Sequence, residues 1–193
     1  MPAQPALPEM LFPDAAAWTK WLEREHGKSA GVWMRIAKKG AAESSVQYPE
    51  ALNVALCFGW IDGQKKGIDE HYWVQKFTPR AARSIWSKIN REKVEALTAA
   101  GQMREAGQRE IDRAKADGRW DAAYDSASKA EIPPDLQAAL DASPAARAFY
   151  ATLNATNRYA ILFRTQTAKK AETRAKRIAQ FVQMLERGEK IHP

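Results

Sequence analysis

Between Gly59 and Pro79 the hydrophobic pattern changes from helical to extended, and this stretch decides the fold class. Trp60-Ile61-Asp62-Gly63-Gln64 and His71-Tyr72-Trp73-Val74-Gln75-Lys76-Phe77 read as two strands joined through Lys65-Lys66-Gly67. In the second, Tyr72, Val74 and Lys76 share one face, opposite Trp73, Gln75 and Phe77, and Pro79 stops the strand. Gly31 to Lys38 opens on a turn residue and carries aromatic and β-branched side chains, which predicts a third strand. Helices flank these segments. One follows Asp14, where Ala17, Trp18, Trp21 and Leu22 recur at helical spacing; another starts near Tyr48, with Pro49 suited to its first position, and runs to about Gly59. From Ala82 onward the pattern is helical, in pieces punctuated by Gly101, Gly107, Gly118, Pro133-Pro134 and Ser143-Pro144. The expected architecture is α+β: a small α-β-α-β-β unit, then five or so helices.

Proline content separates an extended arm, residues 1–13, from the rest. A loosening at Asp125 to Pro134 divides the remainder into an α+β domain with an aromatic and polar motif, 14–124, and a helical region, 125–193, that ends in a basic helix. With 193 residues, 45% hydrophobic and seven tryptophans, the chain can bury a sizeable core without disulfides or metals. Its N-terminus lacks the basic and apolar regions of a signal peptide, and no apolar run is long enough to span a bilayer, so a cytoplasmic protein without membrane insertion is expected.

Phosphate-binding glycine loops, the hydrolase nucleophile elbow and the zincin His pair are all missing from the sequence. Three histidines and one cysteine cannot make a conventional structural zinc site, so no metal and no cofactor is expected. Cys57, between Leu56 and Phe58, reads as a small buried hydrophobe. What carries chemistry is the dense stretch Trp60 to Asn90, with Trp60, Asp62, Gln64, Tyr72, Arg80, Trp86, Ser87, Lys88 and Asn90 as candidate ligand-binding residues. Each has an ordinary use: Asp62-Gly63 as a turn, Trp60 and Trp86 as core, Ser84 and Asn90 as caps, Arg80 as the partner of Asp62. Together they can line a pocket in which Arg80 binds an anion and the indoles form walls.

The run Tyr48-Pro49-Glu50-Ala51-Leu52, then Ala55-Leu56-Cys57-Phe58-Gly59-Trp60-Ile61-Asp62-Gly63, then Phe77-Thr78-Pro79-Arg80 and Ser84-x-Trp86-Ser87-x-x-Asn90, resembles the bacterial YdeI/OmpD-associated family, often described as bacteriocin-protection proteins. Ala168-Lys169-Lys170-Ala171-Glu172-Thr173-Arg174-x-x-Arg177-Ile178 resembles that family's closing helical segment. The resemblance implies a bacterial stress-tolerance role and supplies no reaction and no catalytic residue. The α/β half is also similar to small folds of the MmcQ/YjbR type, an analogy that bears on fold alone.

Formal net charge is +7, and its location matters more than its size. Residues 1–144 hold 20 basic and 20 acidic side chains, while residues 145–193 hold 10 and 3. In the last helix Arg174 falls inside the apolar arc of Ile178, Phe181, Val182 and Leu185, so its guanidinium faces inward and needs an acceptor; Asp62 is the preferred candidate, docking the helix on the aromatic motif. Lys169, Lys176 and Arg187 form an outward basic face. The favoured reading is a non-enzymatic tolerance protein that binds a small anionic ligand or peptide near Trp60–Asn90. The first alternative is nucleic-acid binding through the basic C-terminal helix, although basic residues interleaved with exposed aromatics are not evident along the chain. The second is an enzyme using Asp62 and Arg80 with Tyr72 or Ser87.

Overall fold

The computed structural model describes residues 6–193; the first five residues of the expected arm lie outside the described part. The elements run β1 (Glu9–Leu11), α1 (Ala15–Glu25), β2 (Val32–Ala37), α2 (Tyr48–Cys57), β3 (Trp60–Gly67), β4 (Tyr72–Pro79), α3 (Lys88–Ala99), α4 (Glu105–Ala116), α5 (Pro134–Asp141), α6 (Pro144–Thr152), α7 (Ala155–Gln166) and α8 (Ala171–Glu186). The fold is α+β, a mixed four-stranded sheet with helices followed by an all-helical region. The chain divides into two compact units, one up to Ser84 with Asn90–Asp121 and one of Ile85–Ile89 with Ala122–Pro193.

In the first unit the sheet order is β1-β2-β4-β3, with β1 parallel to β2 and the other pairs antiparallel. β1 is an addition to the expected elements: three residues of the arm pair with β2, Met10 opposite Met34. A second difference concerns Lys65-Lys66-Gly67, which belong to β3 rather than to its connection; the register shifts between Asp62 and Lys65, and the turn follows Gly67. Asp14 caps α1, its carboxylate accepting from the Ala17 amide at 2.8 Å.

One face of the sheet, carrying Val32, Met34, Ile36 and Phe77, contributes to the buried core. Aromatic rings hold that core together. Trp18 stacks on Trp21 with centroids 5.2 Å apart, and both meet Trp60 edge-on at 6.1 and 5.7 Å. The indole N–H groups of Trp18 and Trp60 donate to the carbonyls of Ala51 and His26, both at 3.1 Å. α4 approaches the end of α2 closely enough that the Arg104 amide donates to the Cys57 carbonyl at 3.1 Å. A Cβ on Gly107 would collide with that same carbonyl, which is why glycine stands there.

The second unit is built differently. Leu136 and Leu140 of α5, Ile161 and Leu162 of α7, and Ile178 and Leu185 of α8 form an aliphatic core around Ala146. Ser143 caps α6 by accepting from the Ala146 amide, and Asn154 caps α7 by accepting from the Asn157 amide. A parallel bridge between Ser87 and Tyr124 ties the 85–89 segment into this unit.

Candidate binding sites

The two units share out the Trp60–Asn90 candidates. Trp60, Asp62, Gln64, Tyr72, Arg80 and Asn90 belong to the first, Trp86, Ser87 and Lys88 to the second. Within the first, Trp60 is 1% exposed and serves the aromatic core. Asp62 accepts from the Tyr48 hydroxyl at 2.9 Å; burial, with the carboxylate alongside, pushes the Tyr48 phenol well above its usual range. Arg80 is buried, its amide on the Gly59 carbonyl at 3.0 Å and its guanidinium 3.4 Å from the Ser84 hydroxyl. Gln64 is exposed at the sheet edge, and its backbone carbonyl accepts from the Gln75 amide side chain. Tyr72 opens β4 whereas Arg80 follows its last residue, so at about 3.3 Å per residue roughly 25 Å of strand separates them. Tyr72 and Arg80 therefore stand at opposite ends of the strand, with Asp62 opposite Phe77 toward the Arg80 end. In the second unit Lys88 pairs with Asp125 at 2.8 Å.

Arg174 corrects an expectation. It does reach a carboxylate, but the partner is Asp135, not Asp62: Nε and Nη2 meet the two carboxylate oxygens at 2.5 and 2.8 Å, and Nη1 donates to the Thr165 carbonyl at 2.9 Å. Asp135 stands in the first turn of α5, where the helix dipole also favours an anion, and the Arg174 guanidinium holds its carboxyl below the usual 3.8. Asp62 is already engaged by Tyr48. The pair therefore clamps α8 to α5 inside the second unit.

The three residues of the expected basic face, Lys169, Lys176 and Arg187, are all exposed. Lys169 precedes α8, Lys176 stands on it, and Arg187 follows its final residue and pairs with Glu189 at 3.0 Å. Among the described residues no group of three His, Cys, Asp or Glu could hold a metal ion, and no helix is long and apolar enough to cross a membrane. Burial raises the Cys57 thiol, with Arg104 opposing, which suits a core residue.

Sequence reasoning missed two features. One is a cleft of about 510 Å³ in the second unit, walled by Ala130, Ile132, Leu153 and Leu162, with Tyr150, Arg158 and Tyr159 as its polar groups. The Tyr159 hydroxyl donates to the Asp125 carbonyl at 3.0 Å. Tyr150 is 7% exposed, and its hydroxyl has no hydrogen-bond partner among the described residues. Burial raises this phenol and the Arg158 charge opposes the rise, so a positive charge acts on the cleft. Arg158 is tethered by one N–H, Nη2 to the Ala151 carbonyl at 2.6 Å, and its side chain is exposed.

The other is the sheet face opposite the aromatic core. Register places Trp33 beside Lys76 and Arg35 beside Val74 on that face, and Lys66 beside Val74 from β3. Lys66 Nζ lies 4.5 Å from the Trp33 ring centroid and Lys76 Nζ 6.0 Å; Arg35 lies 5.6 Å from the Tyr72 ring and pairs with Glu9 at 2.7 Å.

Comparison with known proteins divides the chain in a similar way. Residues 10–110 match a domain of unknown function (DUF8412), and residues 129–188 match the family described as bacteriocin-protection, YdeI or OmpD-associated. No curated protein and no solved structure matches. The motif from Tyr48 to Asn90 thus falls under the first match, and the closing helical segment under the second. The chain belongs to the family of that domain of unknown function, which spans just over half of it, and its residues 129–188 are similar to the bacteriocin-protection, YdeI or OmpD-associated family.

Proposed function

We propose that the chain contributes to tolerance of bacteriocins or antimicrobial peptides as a binding protein, and that the cleft over Tyr150 takes a small anionic ligand or the carboxylate end of an apolar peptide. The observation that carries this reading is Tyr150 itself, a nearly buried phenol with no partner among the described residues, set among apolar walls inside the matched segment. A hydroxyl at the wall of a cleft with no partner among the described residues is a donor available to a ligand oxygen. Arg158 supplies the charge that selects an anion, and Ile132, Leu153 and Leu162 accept an apolar body. Ten basic against three acidic side chains after residue 144 make this region repel cationic peptides at long range. Protection is therefore indirect, through the bound ligand rather than by sequestering the peptide.

A thermal-shift titration of the full chain with octanoate, butyrate and a free-carboxylate Leu-Leu dipeptide tests the site. Wild type is stabilised by octanoate or the dipeptide, by about 2.7 kcal/mol at a hundredfold excess over Kd, and Arg158→Ala loses that response. Equal responses of the two proteins would overturn the assignment. The tolerance role is tested in cells: deletion of the gene raises sensitivity to cationic antimicrobial peptides, and unchanged sensitivity refutes the role whatever the cleft binds.

A further inference from the structure

We propose that the sheet face centred on Trp33 binds single-stranded nucleic acid. The inference is independent of the cleft and rests on side chains that three strands bring together. Trp33 from β2, Lys66 from β3 and Lys76 from β4 form one cluster, with both ammonium groups within 6.0 Å of the indole centroid. Trp33 is only partly buried, Lys66 is exposed, and neither lysine forms an ion pair among the described residues. Arg35, by contrast, is committed to Glu9, so the two lysines are the charges available to a ligand.

The chemistry suits one class of polyanion. An indole on a sheet surface offers a flat face on which an unpaired base can stack, and the lysines beside it lie where the flanking phosphates would run. On binding, each flexible ammonium exchanges its contact with the ring for one with a phosphate, and the base takes its place on the indole. A duplex cannot do this, because its bases are already stacked on one another. Acidic residues fix the limits of the surface: Glu9 of β1, in register with Trp33 and paired with Arg35, bounds it on the side away from the lysines. Asp69 and Glu70 sit at the β3–β4 turn, on the Tyr72 side, with the Asp69 carboxylate accepting from the amides of His71 and Tyr72 at 2.7 Å. The footprint therefore centres on Trp33 and spans few nucleotides, with affinity to match.

Fluorescence anisotropy of a labelled twelve-residue oligothymidylate with the full chain at low salt tests this. Wild type binds, with a log–log salt slope of about −1.4, the value expected when two phosphates on a single strand are neutralised. Trp33→Leu weakens binding about tenfold through lost stacking. Lys66→Gln with Lys76→Gln abolishes the salt dependence, while Lys169→Gln with Lys176→Gln leaves binding unchanged. Circular dichroism and melting confirm that each variant folds; if Trp33→Leu fails, Trp33→Phe replaces it and weakens binding less. No binding at low salt would overturn the proposal, and so would wild-type affinity in the Lys66 and Lys76 double variant. Equal binding of a duplex, or displacement by polyglutamate as effective as by unlabelled oligonucleotide, would overturn it as well, by showing charge attraction without base stacking.

Discussion

The two units treat the polar ends of their buried aromatics differently. In the first, Trp18 and Trp60 are 0% and 1% exposed and each indole N–H is satisfied by a backbone carbonyl, so the rings act as structure alone. In the second, mostly aliphatic side chains and Phe181 fill the core, and the one tyrosine among its buried residues, Tyr150, lines a cleft and has no hydroxyl partner among the described residues. A satisfied polar group points to folding and an unsatisfied one to a ligand. The contrast also explains why aromatic density misleads as a guide to the site: the richest aromatic stretch of the sequence is where the rings are most fully used by the fold.

The largest effect that would break this comparison lies in the first unit. Trp18→Ala removes a fully buried indole that touches Phe12, Trp21, Trp60 and Phe77, and it leaves the Ala51 carbonyl without its donor. A loss of about 3–5 kcal/mol is expected in urea unfolding. A loss below 1 kcal/mol would mean that the aromatic cluster is not what holds this unit together.

Much of the fold was legible because periodicity is a local property. The helix capped by Asp14, the helix opened by Pro49 and the alternation across Tyr72–Phe77 all declare themselves within a few residues. β1 escaped because three residues beside prolines carry no period of their own and gain their pairing only from β2. Lys65-Lys66-Gly67 has the composition of a turn, and only the register with β4 and the shift after Asp62 make it strand. Sites fared worse, because they are assembled from distant residues. The inward turn of Arg174 was readable from its own helix, but the choice between Asp62 and Asp135 depends on where another helix begins. The cleft was invisible for a different reason: Ile132, Leu153 and Leu162 look the same in sequence whether they fill a core or line a cavity. Trp33, Lys66 and Lys76 come from three strands, so the interleaving of base and aromatic that seemed missing along the chain exists only across it.

An intermediate effect is expected at the clamp within the second unit. Arg174→Ala removes a two-point ion pair and a hydrogen bond to the Thr165 carbonyl, with Asp135 about half exposed, so a loss of about 1 kcal/mol is expected. Asp135→Asn isolates the charge. Because the folded carboxyl lies below its ordinary 3.8, its contribution is fully present above that value and disappears as pH falls through the lower folded value. Wild type and Asp135→Asn therefore differ at pH 6 and converge below pH 3.8. A difference that persists at low pH would show that the carboxylate charge is not what matters.

The smallest effect sharpens the comparison most. Tyr48→Phe and Tyr150→Phe delete the same atom from the two units. In the first, the hydroxyl donates to the Asp62 carboxylate at 2.9 Å, and its loss removes a hydrogen bond to a charged group at a partly buried position, worth about 1–2 kcal/mol. In the second, the hydroxyl has no partner among the described residues, so Tyr150→Phe leaves unliganded stability within about 0.5 kcal/mol of wild type. It nevertheless reduces the octanoate response, since the deleted donor is one the ligand would use. A folding role for Tyr150 predicts the reverse pattern, a destabilised chain with ligand binding intact. Measuring both quantities on both variants separates a tyrosine that serves the fold from one that serves a ligand, with a single oxygen atom as the only change.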